Sequence, residues 1–169
     1  MFKNMLLTSA VLSTLTGCAT APDYVTPENV ETTQIHVTRD IKAPLIGGTS
    51  TQIFNMKAFK KCDEPMQAGN TRFMMLVEGH PLMTNFNENG VNVPVGKPLS
   101  LFMFSVSGAM STCSGIVKFT PESGKNYDIK LNGDLTAINP YCTTELWSMP
   151  EGSDVAQQER FEEFDDCQS

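Results

Sequence analysis

From Ile35 onward the chain is cut into short apolar stretches by turn-forming residues, and this punctuation limits the folds open to it. Ile35, Val37 and Ile41 sit among polar neighbours, an alternation that fits a strand with one buried face. Phe73-Met74-Met75-Leu76-Val77 and Leu101-Phe102-Met103-Phe104 are continuous apolar runs of strand length, as buried central strands have. Ile53 marks another strand, Val91, Val93 and Val95 alternate, and a further strand runs from Cys113 to Phe119. Tyr127, Ile129 and Leu131 alternate on its return, and Leu146, Trp147 and Met149 mark a last strand. Between these lie Pro44 with Gly47-Gly48, Asn89-Gly90, Gly96-Lys97-Pro98, Pro121 to Gly124, and Asn132-Gly133. Asn89-Gly90 predicts a type I′ hairpin, and Gly124 is free to take a positive φ. Short strands between turn residues predict an all-β fold, an antiparallel β-sandwich of about seven or eight strands. Residues 154–164 are the exception. Asp154 and Gln157 have capping-box spacing, and Phe161 and Phe164 would share one face, which predicts a short C-terminal helix packed on the sheet.

The amino terminus has a different grammar. Lys3 precedes an apolar stretch from Met5 to Leu15, which is far shorter than the roughly 20 residues that span a bilayer. A signal segment fits better than a transmembrane helix. It ends in Leu15-Thr16-Gly17-Cys18, which resembles the lipobox of bacterial lipoprotein signals. The resemblance implies thioether lipidation of Cys18, cleavage before it, and acylation of the new amine. In that class an aspartate after the cysteine favours the inner membrane, so Ala19 implies an outer-membrane, lipid-anchored protein; it is expected to face the periplasm, although no residue selects the leaflet. The expected organisation is a signal peptide over residues 1–17, a lipidated flexible tether over 18–33, rich in Thr, Pro, Asn and Glu, and a β-sandwich domain over 34–169. After cleavage 11 basic residues face 19 acidic ones. That balance argues against nucleic acid, whose affinity rests on neutralised phosphates.

Once Cys18 takes lipid, Cys62, Cys113, Cys142 and Cys167 remain. An even number in an exported chain predicts two disulfides, with three pairings open. A zinc site is disfavoured, since no two cysteines form a C-x-x-C pair and neither histidine lies beside one. The stretch Phe-Thr-Pro-Glu-Ser-Gly-Lys-Asn-Tyr, from Phe119 to Tyr127, resembles a pattern in small, uncharacterised proteobacterial lipoproteins. The likeness covers roughly residues 90–149. It implies a compact β-sandwich with one cysteine before the phenylalanine strand and another after the tyrosine strand. Cys113 and Cys142 match those places, so the resemblance implies a Cys113–Cys142 bridge and leaves Cys62 to pair with Cys167.

Few residues carry chemistry. Glu159, Glu162, Glu163, Asp165 and Asp166 read as a solvated face rather than a calcium loop. Met74, Met75 and Met103 read as core, and Met66, Met83, Met110 and Met149 are scattered, so neither a metal nor a cofactor is expected. His36 and His80 stand alone, without a nucleophile in order. Ser123, Gly124 and Tyr127 resemble the Ser-Gly-x-x-Tyr element of periplasmic lysozyme inhibitors, in which a serine and nearby groups engage catalytic carboxylates. The second motif of that family, around a Lys-Gly pair, is absent. The polar loop with Asn85, Phe86, Asn87 and Asn89 is the candidate binding loop for an envelope protein or a glycan. The expected function is therefore a non-enzymatic envelope lipoprotein that binds or assembles. A lysozyme-type inhibitor is the alternative, and a hydrolase a more distant one. Nothing in the pattern selects an oligomeric state.

Overall fold

The computed structural model describes residues 21–44, 47–56, 70–80 and 82–162. Cys18, Cys62 and Cys167 lie outside them, as does Phe164. Among the described residues nine strands run in chain order: β1 Thr32–Lys42, β2 Thr49–Asn55, β3 Thr71–Glu78, β4 Val91–Pro94, β5 Leu99–Ser107, β6 Thr112–Phe119, β7 Lys125–Asp134, β8 Tyr141–Pro150 and β9 Gln157–Glu159. They form two sheets, one of four strands in the order β3-β2-β5-β6 and one of five in the order β4-β1-β7-β8-β9. The protein is a β-sandwich.

Alternation along the strands places the core. Ile35 and Val37 of β1, Ile129 and Leu131 of β7 and Leu146 of β8 point inward from the five-stranded sheet. Ile53, Phe73, Leu101, Met103 and Val117 meet them from the four-stranded sheet. Full burial of such side chains contributes about 1.5–3 kcal/mol each. The unbroken apolar run in β5 has a second cause. Leu101 and Met103 face the interior, while Phe102 and Phe104 join Phe54, Met56 and Ile116 in a separate cluster on the outer side of the same sheet. A strand covered on both sides carries no alternation.

Cys113 on β6 and Cys142 on β8 are bonded, with Cα atoms 5.4 Å apart. The bridge links the two sheets at one side of the sandwich. The opposite side is closed by residues 21–31. Arg72 donates its N–H to the Pro22 carbonyl at 2.8 Å, Tyr24 donates its own to the Arg72 carbonyl at 2.9 Å, and the Tyr24 ring packs 5.4 Å from that of Phe73. The segment expected as a tether is thus built into the domain from Ala21, upstream of Gln34.

Four expectations are corrected. Asn132-Gly133 makes no turn: both residues lie inside β7, paired with Asp40 and Ile41 of β1 and with Thr143 and Cys142 of β8, because a strand flanked on both sides has its backbone groups satisfied by the two ladders. Three more concern pairing, the tail and a hairpin. First, β1 and β7 pair in parallel, from Ile35 against Tyr127 to Lys42 against Asp134, whereas the other strand pairs are antiparallel. Alternation marks the buried face of a strand but says nothing about its partner's direction. Second, no C-terminal helix forms among the described residues. Gln157–Glu159 adds β9 to the edge of β8, and Glu162 bridges to Lys118. Edge pairing satisfies the backbone groups that a helix would have satisfied, and Phe161 still reaches the core. Third, Asn89-Gly90 is not a type I′ hairpin. β3 and β4 belong to different sheets, and the positive φ angles fall at Asn87 (56°) and Gly90 (98°) rather than at Asn89. The Gly90 N–H closes the turn on the Asn87 carbonyl at 3.0 Å.

Candidate functional site

The predicted binding loop is spent largely on the fold. Phe86 exchanges both backbone hydrogen bonds with Met75 at the edge of β3, and its ring lies under the Arg72 guanidinium at 4.6 Å. The Asn85 carboxamide oxygen accepts the Val77 N–H at 2.7 Å, and its NH₂ donates to Glu88. Asn87 donates to the Phe73 carbonyl at 3.0 Å. Asn85 and Asn89 are both exposed, and the Asn89 carbonyl accepts from the Gln34 side chain at 3.1 Å.

The Ser123 turn is exposed, with Gly124 at φ 71° as the sequence allows. The Ser123 hydroxyl donates to the Glu31 carboxylate, the Gly124 carbonyl accepts from the Glu151 N–H at 2.8 Å, and the buried Tyr127 hydroxyl accepts from the Glu122 N–H at 2.9 Å. Burial pushes the Tyr127 phenol up. The element resembling an inhibitor motif thus pins a turn to its neighbours.

Among the described residues, two of the hollows open to solvent bear on a site. The larger, about 520 Å³, lies along the seam between the sheets, with Phe119, Tyr127, Leu146 and Phe161 at its base. Its charged walls are sewn to each other. Lys118 meets Glu162 at 2.7 Å, and Lys125 meets Glu122 at 2.8 Å and Glu159 at 3.0 Å. The buried Ser148 hydroxyl donates to the same Glu159 at 2.6 Å. These bonds raise the Lys125 pKa and hold the Glu159 carboxyl below the ordinary glutamate value. Such pairing ties Lys118, Glu122, Glu159 and Glu162 into a closure of the sandwich edge, with the exposed Arg160 beside them.

The second hollow, about 360 Å³, is a groove on the outer face of the five-stranded sheet. Register builds it. His36 of β1 lies beside Asp128 of β7, Asp128 beside Trp147 of β8, and Trp147 beside Gln158 of β9. At the usual strand spacing this row is roughly 14 Å long. A second row joins Gln34, Asn126 and Met149 in the same hollow. Trp147 is half-buried and Met149 is 42% exposed, so an apolar surface lies open between polar groups. Lys130 sits 4.7 Å from the indole centroid, the indole N–H donates to Glu145 at 2.9 Å, and His36 lies 3.5 Å from Asp128. Thr38 donates to the same Asp128 at 3.3 Å. On this face Lys130 lies at the indole and Asp128 beside His36 and Thr38, while the Gln34 and Asn126 carboxamides offer both donors and acceptors.

The groove residues come from β1, β7, β8 and the stretch before β9, so the sequence reading missed them as a group. Their only linear signal is the polar half of the alternation, Asn126, Asp128 and Lys130 between the buried Tyr127, Ile129 and Leu131. The lone tryptophan at an outward position completes it. Among the described residues, no three His, Cys, Asp or Glu side chains are grouped as a metal site would need. Compared with family models, curated proteins and solved structures, the chain matches none.

Proposed function

We propose that the chain is a non-enzymatic lipoprotein of the outer membrane, anchored through Cys18 and facing the periplasm, whose sandwich binds an uncharged glycan in the Trp147 groove. The observation that carries this reading is a hollow with an open aromatic and thioether surface, flanked by carboxamides. A sugar ring has one face of C–H groups, which suits an indole, and a rim of hydroxyls, which suits groups that both donate and accept. The open, elongated shape suits a chain lying across strands. A hydrolase would need an ordered acid, base or nucleophile, and the groove offers Asp128 already shared between His36 and Thr38.

Trp147 is the single tryptophan, so its emission reports directly on the groove. Titration with oligomers of N-acetylated amino sugars and with neutral gluco-oligosaccharides should give a saturable change with at least one of them. Calorimetry on Trp147→Ala should then show affinity reduced at least about tenfold, equivalent to about 1.4 kcal/mol. Flat titrations with both sugar classes, or undiminished binding by the variant, would remove the glycan reading.

A further inference from the structure

We infer that the groove selects sugars carrying an acetamido group, and that Gln34, Asn126 and Met149 form the seat for that group beside the Trp147 indole. This rests on the glycan reading proposed above and narrows its substrate class from uncharged glycans to N-acetylated amino sugars.

Bonds to the backbone fix which end of each carboxamide is free. The Gln34 side chain donates through Nε2 to the Asn89 carbonyl at 3.1 Å, and a carbonyl can only accept. Its remaining end is Oε1, an acceptor. The Asn126 Oδ1 accepts the Gln34 backbone N–H at 3.4 Å, which fixes that amide in turn and leaves Nδ2, a donor. Among the described residues neither of these two remaining atoms has a hydrogen-bond partner. Gln34 and Asn126 directly precede the paired Ile35 and Tyr127, so they are neighbours on the outer face of the sheet. One acceptor and one donor therefore stand together, neither of them taken.

The same row continues into an apolar spot. Asn126 pairs with Met149, which is 42% exposed, and the exposed Ala156 lines the same hollow. The Trp147 row lies between this row and that of Lys130 and Glu145. Both polar contacts of the indole come from the latter, Lys130 Nζ at 4.7 Å from the ring centroid and the Glu145 carboxylate at 2.9 Å from its N–H. The indole's side toward Asn126 and Met149 is the one without a polar contact among the described residues. Two residues along β8 set Met149 roughly 7 Å from Trp147.

An acceptor, a donor and an apolar spot thus line up one row away from an aromatic surface. An acetamido group carries the matching three parts: an N–H, a carbonyl oxygen and a methyl. A hydroxyl at the same ring carbon supplies a donor and an acceptor but no methyl, and it sets a polar group against the Met149 thioether. One such carbon in an apolar pocket changes affinity about 10–200-fold, and a seat this open belongs at the lower end.

The test titrates the Trp147 emission of the full chain with two β-1,4-linked trimers that differ only at C2, one of N-acetylglucosamine and one of glucose. The N-acetylated trimer should bind at least about tenfold more tightly. Met149→Ser removes the apolar contact, and Asn126→Asp removes the donor. Met149 is exposed and Asn126 half-buried, so either variant should fold. Each should bring the two affinities close together. Equal affinities in the native chain, tighter binding of the glucose trimer, or a preference that survives either variant overturns the acetamido assignment and leaves the glycan reading standing. Flat titrations with both trimers remove the glycan reading itself and the assignment with it, so the two failures are told apart.

Discussion

The Cys113–Cys142 bridge offers the most direct test of what holds the sandwich together. It joins β6, the edge of one sheet, to β8 in the other, across 29 positions of sequence. Removing it frees a loop of that length in the unfolded chain. The chain-entropy relation gives about 3.6 kcal/mol for the lost constraint at 25 °C. Replacing both cysteines by alanine also trims two sulfur atoms from packed positions, since Cys113 is buried and Cys142 leans on the core. That adds on the order of 1 kcal/mol. Unfolding a domain of roughly 140 residues releases about 0.3 kcal/mol per degree, so a loss of 3.6–4.6 kcal/mol should lower Tm by about 12–15 °C. The assay is paired thermal and urea unfolding of Cys113→Ala/Cys142→Ala against its parent, both carrying Cys62→Ser and Cys167→Ser so that only one bridge varies. The urea midpoint should fall, and the variant's transition should be the steeper one, since its unfolded state, freed of the cross-link, exposes more surface. A difference below about 1 kcal/mol would refute the reasoning. So would peptide mapping that joins Cys113 to a different cysteine.

Two further outcomes follow from local geometry. Gly48 has φ 68°, and an added Cβ would lie 2.5 Å from the Glu78 carbonyl oxygen and 2.6 Å from the Gly79 carbonyl carbon, both backbone atoms. Gly48→Ala should therefore cost more than about 2 kcal/mol, and Gly96→Ala, at φ 70° but with open space, only about 1 kcal/mol, as read from denaturant midpoints. At the seam, the Ser148 hydroxyl and Lys125 hold the Glu159 pKa below its ordinary value, so its contribution is present above about pH 4.3 and is lost as pH falls through the lowered value. Glu159→Gln should be less stable at pH 7 by about 1 kcal/mol, after allowance for solvent screening, and should lose less on acidification than the native protein in matched acid-unfolding curves.

The sequence by itself determined the strands and the buried residues. Period-two alternation in β1 and β7, and turn chemistry between strands, report local backbone preference and one-sided burial, which neighbouring residues encode. The Cys113–Cys142 link was legible only through the resemblance around Phe119 to Tyr127. Tertiary structure alone decided which strands meet and in which direction. The parallel pairing of β1 with β7 joins residues about 92 positions apart, and no local pattern carries the sign of such a pairing. The same holds for the tail: Asp154 and Gln157 have helical capping spacing, but an unpaired edge of β8 offered residues 157–159 a ladder instead. In the predicted loop, Asn85, Phe86 and Asn87 were drawn onto the β3 edge, whose backbone groups needed partners, while Asn89 stayed exposed. The Trp147 groove arose where outward polar residues from separate strands fell into one row. Side-chain direction is local and readable along a strand; adjacency between strands is set by the packing of the whole chain, and a binding surface on a sheet is made of adjacency.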